Sequence, residues 1–226
     1  MLSKLRPILL SAIAVAAGIA ATATSASANL IVNGNFTANA GSYVTFPGYD
    51  TVTGNPGTPT GWGANNVTCG VNGSATGVGI PFAPQTVNQG ITAFGFVQNS
   101  GTALFQLFNV TPGQTYMVTY EDASRAADTS LTPLHVYVES KMLGGTVLAN
   151  YTSTPDNTQF QSESFTYTAD TNNADVIVFQ NNAPTGSSNT ADFTNVAVNA
   201  VVPEPASMGL LGAGGLALLL VRRKKA

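Results

Sequence analysis

The sequence predicts an all-β protein folded as a β-sandwich, and three observations predict it. The body is rich in Thr, Asn, Gly, Val and aromatic residues and poor in the Leu, Glu, Lys and Arg that build helices. Short runs in which apolar and polar residues alternate recur between Gly, Pro and Asn clusters. No long stretch of the body repeats at the helical period, and no fixed internal period marks a propeller or solenoid.

The predicted strands follow in order. Residues 30–32 open the series, and residues 33–59 read as loop, with turns at Pro47-Gly48 and Asn55-Pro56-Gly57. Gly61-Trp62-Gly63 introduces a segment reaching Val71, and the glycine-rich residues 70–79 read as a long loop. Residues 91–98 set Phe94 and Phe96 among small neighbours. Residues 102–110 place Leu104, Gln106 and Phe108 on one face and Phe105 and Leu107 on the other. Thr111-Pro112-Gly113-Gln114 has the Pro and Gly positions of a type II turn. Residues 115–121 then carry Tyr116, Val118 and Tyr120 on one face. Residues 134–139 turn Leu134, Val136 and Val138 inward and leave His135, Tyr137 and Glu139 opposite. Residues 146–150, 159–168, 175–180 and 191–201 complete about ten strands, the repertoire of a sandwich.

Both ends of the chain are set apart from this body. Lys4 and Arg6, an apolar stretch from Ile8 to Ala20, and Ala26-Ser27-Ala28 form a secretory signal, with cleavage expected between Ala28 and Asn29 by signal peptidase. At the other end stand Val202-Pro203-Glu204-Pro205, an apolar run over residues 206–221, and Arg222-Arg223-Lys224-Lys225. The apolar run has the length of a short transmembrane helix, about 24 Å against a hydrocarbon core of about 30 Å. The basic tail marks a cytoplasmic stop and can snorkel to shorten the mismatch. The two prolines keep Val202–Glu204 extended, as suits a peptide lying in a processing groove.

This order of extended motif, apolar run and basic stop resembles the PEP-CTERM sorting signal. The resemblance implies transient anchoring in the inner membrane, recognition of Val202-Pro203-Glu204-Pro205 by an exosortase, and delivery to the cell surface or extracellular matrix. The chain thus divides into a signal peptide (1–28), a β-sandwich domain (29–200) and a sorting signal (202–226, with its transmembrane part at 206–221 and basic tail at 222–225).

Charge narrows the partners. Arg125 and Lys141 are the only basic residues between the two ends and face ten acids, a net of −8. Such a body repels a phosphate backbone, which excludes nucleic acid. Cys69 is the only cysteine, so no internal disulfide forms. His135 is the only histidine, and no nucleophile elbow, zincin motif or Cys/His zinc spacing occurs. No catalytic residue is therefore assigned and no metal is expected from motif. Paired carboxylates leave one enzymatic alternative, a secreted hydrolase acting on exopolysaccharide.

A second resemblance rests on Leu30-Ile31-Val32-Asn33-Gly34-Asn35-Phe36, Gly61-Trp62, Val110-Thr111-Pro112-Gly113-Gln114-Thr115-Tyr116 and the closing Asn195-Val196-Ala197-Val198. These signposts are similar to those of galactose-binding-like jelly rolls, the fold of many carbohydrate-binding modules. The resemblance implies a jelly-roll sandwich and a body for adhesion, matrix structure or polysaccharide binding. It also implies a structural calcium between the first and last strands, held by acids where this chain has Thr37 and Thr194. Their loss points to a domain that needs no cofactor, or to a weaker site using Asp192 and backbone carbonyls.

Aromatic rings are the ligand platform this composition offers, because a sugar's C–H faces stack on flat rings while amides bond its hydroxyls. Trp62 with Tyr49 and Asn65 forms one candidate, and Tyr137 beside His135 a second. Trp62 equally reads as a plug in the core.

Overall fold

Alternation within residues 103–109 turns Leu104, Gln106 and Phe108 inward, and the same period in each later strand gives two facing apolar surfaces. The computed structural model describes residues 28–40, 49–51, 59–66, 69–73, 82–86, 90–128, 130–185 and 189–201, within the unit Ala28–Val201. The elements are α1 (Thr37–Ala40), β1 (Tyr49–Thr51), β2 (Gly63–Ala64), β3 (Cys69–Gly73), β4 (Ala93–Gln98), β5 (Ala103–Asn109), β6 (Thr115–Ser124), β7 (Leu134–Ser140), β8 (Val147–Ser153), β9 (Gln161–Thr168), β10 (Ala174–Asn181) and β11 (Thr190–Ala200).

One sheet runs β1-β3-β4-β11-β6-β9 and the other β2-β5-β10-β7-β8, with antiparallel pairing throughout. From β4 onward the chain changes sheet at every connection except β7 to β8. That alternation makes the sandwich a jelly roll. The predicted turn at Thr111–Gln114 joins β5 to β6, with Gly113 at φ 72° and the Gln114 N–H donating to the Thr111 carbonyl at 3.1 Å.

The core is aromatic. Phe179 and Phe193 stack across the two sheets, Trp62 meets both edge-on, and Phe36 stacks on Trp62 at 5.2 Å. Phe36 arrives from outside the sheets, out of the turn made by Asn33 and Phe36 at φ 52° and 58°. Two glycines make room for it. A Cβ on Gly95 would stand 2.7 Å from the Phe36 ring, and one on Gly34 only 2.1 Å from the Val196 carbonyl oxygen. The register of β11 shifts between Thr194 and Ala197, and the Val196 N–H there donates to Gly34 O at 3.0 Å. The Asn-Gly-Asn-Phe motif is thus a plug seated in a β-bulge.

Four expected segments differ. Residues 33–59, expected in a loop, include the short helix α1 and the strand β1, which pairs with β3. Residues 30–32 form no strand. The Asn29 carboxamide oxygen takes the N–H groups of Ile31 and Val198, and Gln106 grips Val32 by accepting from its N–H at 2.7 Å and donating to its carbonyl at 2.9 Å. Apart from the Leu30 N–H, which donates to Val198 O at 3.0 Å, side-chain amides take the place of a ladder. The segment 61–71 divides into β2 and β3, which join different sheets. Residues 70–73, expected in a loop, belong to β3. Phe94 and Phe96 point away from the central core and are buried beneath Phe82, Ala83 and Phe160.

Candidate ligand-binding face

Residues directly opposite one another in antiparallel strands share a face. Register therefore lays three rows across the outside of the five-stranded sheet. The central row is Gly63, Phe105, Val178, Tyr137 and Asn150. Beside it run Ala103, Gln180, His135 and Thr152, and on the other side Leu107, Val176, Glu139 and Val147. Phe105 and Tyr137 are half-buried and pack over the fully buried Val178. Gly63 lets the Phe105 ring lie across β2, since a Cβ there would stand 2.5 Å from that ring.

His135 and Tyr137 sit with ring centroids 4.9 Å apart and planes tilted by 39°. Burial lowers the His135 pKa, favouring the neutral imidazole, while burial and the neighbouring Glu139 raise that of the Tyr137 phenol. Glu139 is itself committed, its Oε2 accepting from the Gly144 N–H at 2.7 Å. Leu107 is 60% exposed at one end of the face. The surface is an apolar, ring-bearing strip edged by the amides of Asn150 and Gln180 and the hydroxyl of Thr152.

The sequence-predicted residues divide. Trp62 is only 5% exposed, with its indole N–H donating to Asn33 O at 3.2 Å and its ring among Phe36, Phe179 and Phe193. It is a core residue and offers no ring face to a ligand. Asn65 is exposed, but its amide accepts from the Ala103 N–H at 2.7 Å and donates to Gly101 O at 3.0 Å, prolonging the β2–β5 pairing. Tyr49 pairs by backbone with Asn72 on the other sheet, and its side chain lies outside the described residues. Tyr137 is brought together with His135 and also with Phe105, a partner supplied by register that no local motif announces. Two open clefts of about 360 and 380 Å³ flank Asn195 near β11 and β6–β9 and are lined mostly by amides, hydroxyls and Glu121 and Glu163, away from these rows.

At the first-to-last-strand position the two threonines that stand where relatives carry acids are already committed. The Thr37 hydroxyl donates to Asn35 Oδ1 at 2.9 Å, and the buried Thr194 hydroxyl donates to Ala93 O at 3.0 Å. Asp192 is fully buried and neither of its carboxylate oxygens accepts a hydrogen bond, and burial and Asp128 raise its pKa while Arg125 lowers it. Among the described residues no three His, Cys, Asp or Glu side chains group to hold a metal. Cys69 is buried beneath the Ala103 carbonyl, and burial pushes its thiol up to about 11, away from nucleophilic chemistry.

Ala26, the 202–205 motif, the apolar run and the basic tail lie outside the described residues, and no helix among the described residues is long and apolar enough to cross a membrane. Residues 201–224 match the PEP-CTERM protein-sorting motif. No curated protein matches the chain. Among solved structures, one described as "CBM4 structure and function" is 17% identical, covering 76% of this chain and 99% of its own, with a TM-score of 0.46. TmCBM61 in complex with β-1,4-galactotriose is 10% identical, covering 77% and 100%, also at 0.46. The CBM22-1 xylan-binding domain of Paenibacillus barcinonensis Xyn10C is 10% identical, covering 69% and 94%, again at 0.46. The chain is a jelly-roll β-sandwich protein bearing a PEP-CTERM sorting motif. That motif implies export, a membrane-anchored sorting stage and processing by an exosortase.

Proposed function

We propose that this is a non-catalytic protein of the cell surface or extracellular matrix whose sandwich binds extracellular polysaccharide through the outer face of the five-stranded sheet. The observation that carries the reading is the central row, where Phe105 and Tyr137 flank a buried valine and Asn150 stands at the rim. Aromatic rings on one sheet face receive the C–H faces of sugars, and the rim amides take their hydroxyls. The acidic body favours neutral or cationic glycans over anionic ones. In this reading residues 1–28 are removed on export, residues 29–200 are the binding domain, and residues 202–226 serve sorting.

A glycan array followed by calorimetry on the full-length protein tests it. Tyr137→Ala is expected to weaken glycan binding roughly tenfold without moving the melting temperature appreciably. Absence of glycan affinity in the unsubstituted protein, or polysaccharide turnover abolished by a single carboxylate substitution, overturns it.

A further inference from the structure

Strands β8 and β9 are edges of different sheets, so the sandwich is open along the seam between them. Register sets Tyr120 opposite Glu163 and Asp122 opposite Gln161, which makes Asp122 and Glu163 diagonal neighbours on the inner face of β6 and β9. From β8, the Ser153 hydroxyl donates to Asp122 Oδ2, and the Tyr151 hydroxyl donates to Glu163 Oε2 at 2.7 Å.

Two buried oxygens at this place have no partner. Asp122 is completely buried and its Oδ1 accepts no hydrogen bond, while Tyr120 is 2% exposed and its hydroxyl pairs with nothing. Asp122, Glu163 and Tyr151 act electrostatically on the Tyr120 hydroxyl and the Ser153 side chain lies beside it, so the hydroxyl belongs to the same cluster. Among the described residues no basic group acts on Asp122. The influences on Asp122 are burial, Ser153, Glu163 and its own backbone, and Arg125 acts on Asp128 and Asp192 instead. Two neighbouring carboxylates in a desolvated seam need either a proton or a counter-charge.

We propose that Asp122, Glu163, Ser153 and Tyr120 form a binding site for a hard, oxygen-seeking cation of the calcium type, entered through the β8–β9 seam. Calcium accepts carboxylate and neutral oxygen donors together and tolerates irregular geometry. Glu163 and Tyr151 are only partly buried, which gives the ion a way in. With β6 and β9 in one sheet and β8 in the other, the ion clips the two sheets together along their open side. This place is distinct from the join of the first and last strands, where Thr37 and Thr194 stand.

The test is thermal unfolding of the full-length protein at one neutral pH, with calcium chloride or with chelator. Calcium far above its dissociation constant is expected to raise Tm by roughly 5–10 °C. The rise is expected to vanish in Glu163→Gln, a partly exposed position that leaves the fold intact, and in Asp122→Asn, and to persist in Asp192→Asn. No rise in the unsubstituted protein, a rise of full size in Glu163→Gln, or loss of the rise in Asp192→Asn overturns the proposal.

Discussion

Phe179 of β10 and Phe193 of β11 lie face to face across the sandwich, with ring centroids 4.1 Å apart and planes 3° from parallel. Each is fully buried, and Trp62, Tyr120 and Phe36 close around the pair. Phe179→Ala removes a ring that the surrounding strands cannot collapse to replace, and is expected to cost about 3–5 kcal/mol in urea denaturation. A loss below about 1 kcal/mol would mean that the pair is not the keystone of the core.

Gly34 faces a backbone oxygen, which cannot rotate away as a side chain can. Gly34→Ala is expected to dislodge the Phe36 plug from the β11 bulge at a cost of about 1–3 kcal/mol. Fluorescence of Trp62, which stacks on Phe36, reports the change directly. An unaltered emission spectrum and unaltered stability would show that the turn adapts freely.

Asp192 links stability to pH. Burial first, then repulsion from Asp128, raises its pKa well above the ordinary value, and Arg125 only partly offsets this. The unfolded chain releases this proton near pH 3.9, whereas the folded chain keeps it to higher pH. Over that window the folded state binds more protons, so stability is greatest in mild acid and declines as pH rises toward the folded-state value. Denaturation midpoints measured in steps from about pH 4 to pH 8 should fall, and the slope should be shallower in Asp192→Asn. A midpoint that climbs with pH contradicts this sign.

Glu204 carries the only charge in the Pro-Glu-Pro motif. In a host possessing an exosortase, Glu204→Ala is expected to leave most of the protein at its unprocessed size in the membrane fraction. Unchanged size and surface yield would remove Glu204 from the recognised peptide.

The sandwich was legible because alternation is a direct image of burial on two sides of a strand. Leu134, Val136 and Val138 face the core as the pattern requires, with His135 and Tyr137 opposite. What alternation cannot distinguish is an outer face in water from one under another segment. Phe94 and Phe96 lie beneath Phe82 and Phe160, residues remote in sequence. Strand 30–32 failed for a related reason, since side chains of Asn29 and Gln106 supply the bonds that a partner strand would have made. For the site, Tyr137 was readable from its strand, but its company with Phe105 and Asn150 exists only through pairing across β10 and β8. Trp62 showed the reverse limit, because an aromatic residue between glycines carries no mark of which way it turns.

The final rungs of the sheet close within the body. The Val201 N–H donates to Thr115 O at 2.8 Å, and the Gln114 amide donates to Val201 O at 2.9 Å. The sorting motif starts at this same residue. A cut anywhere beyond it leaves both bonds standing, so the address label can be torn off while the parcel stays sealed.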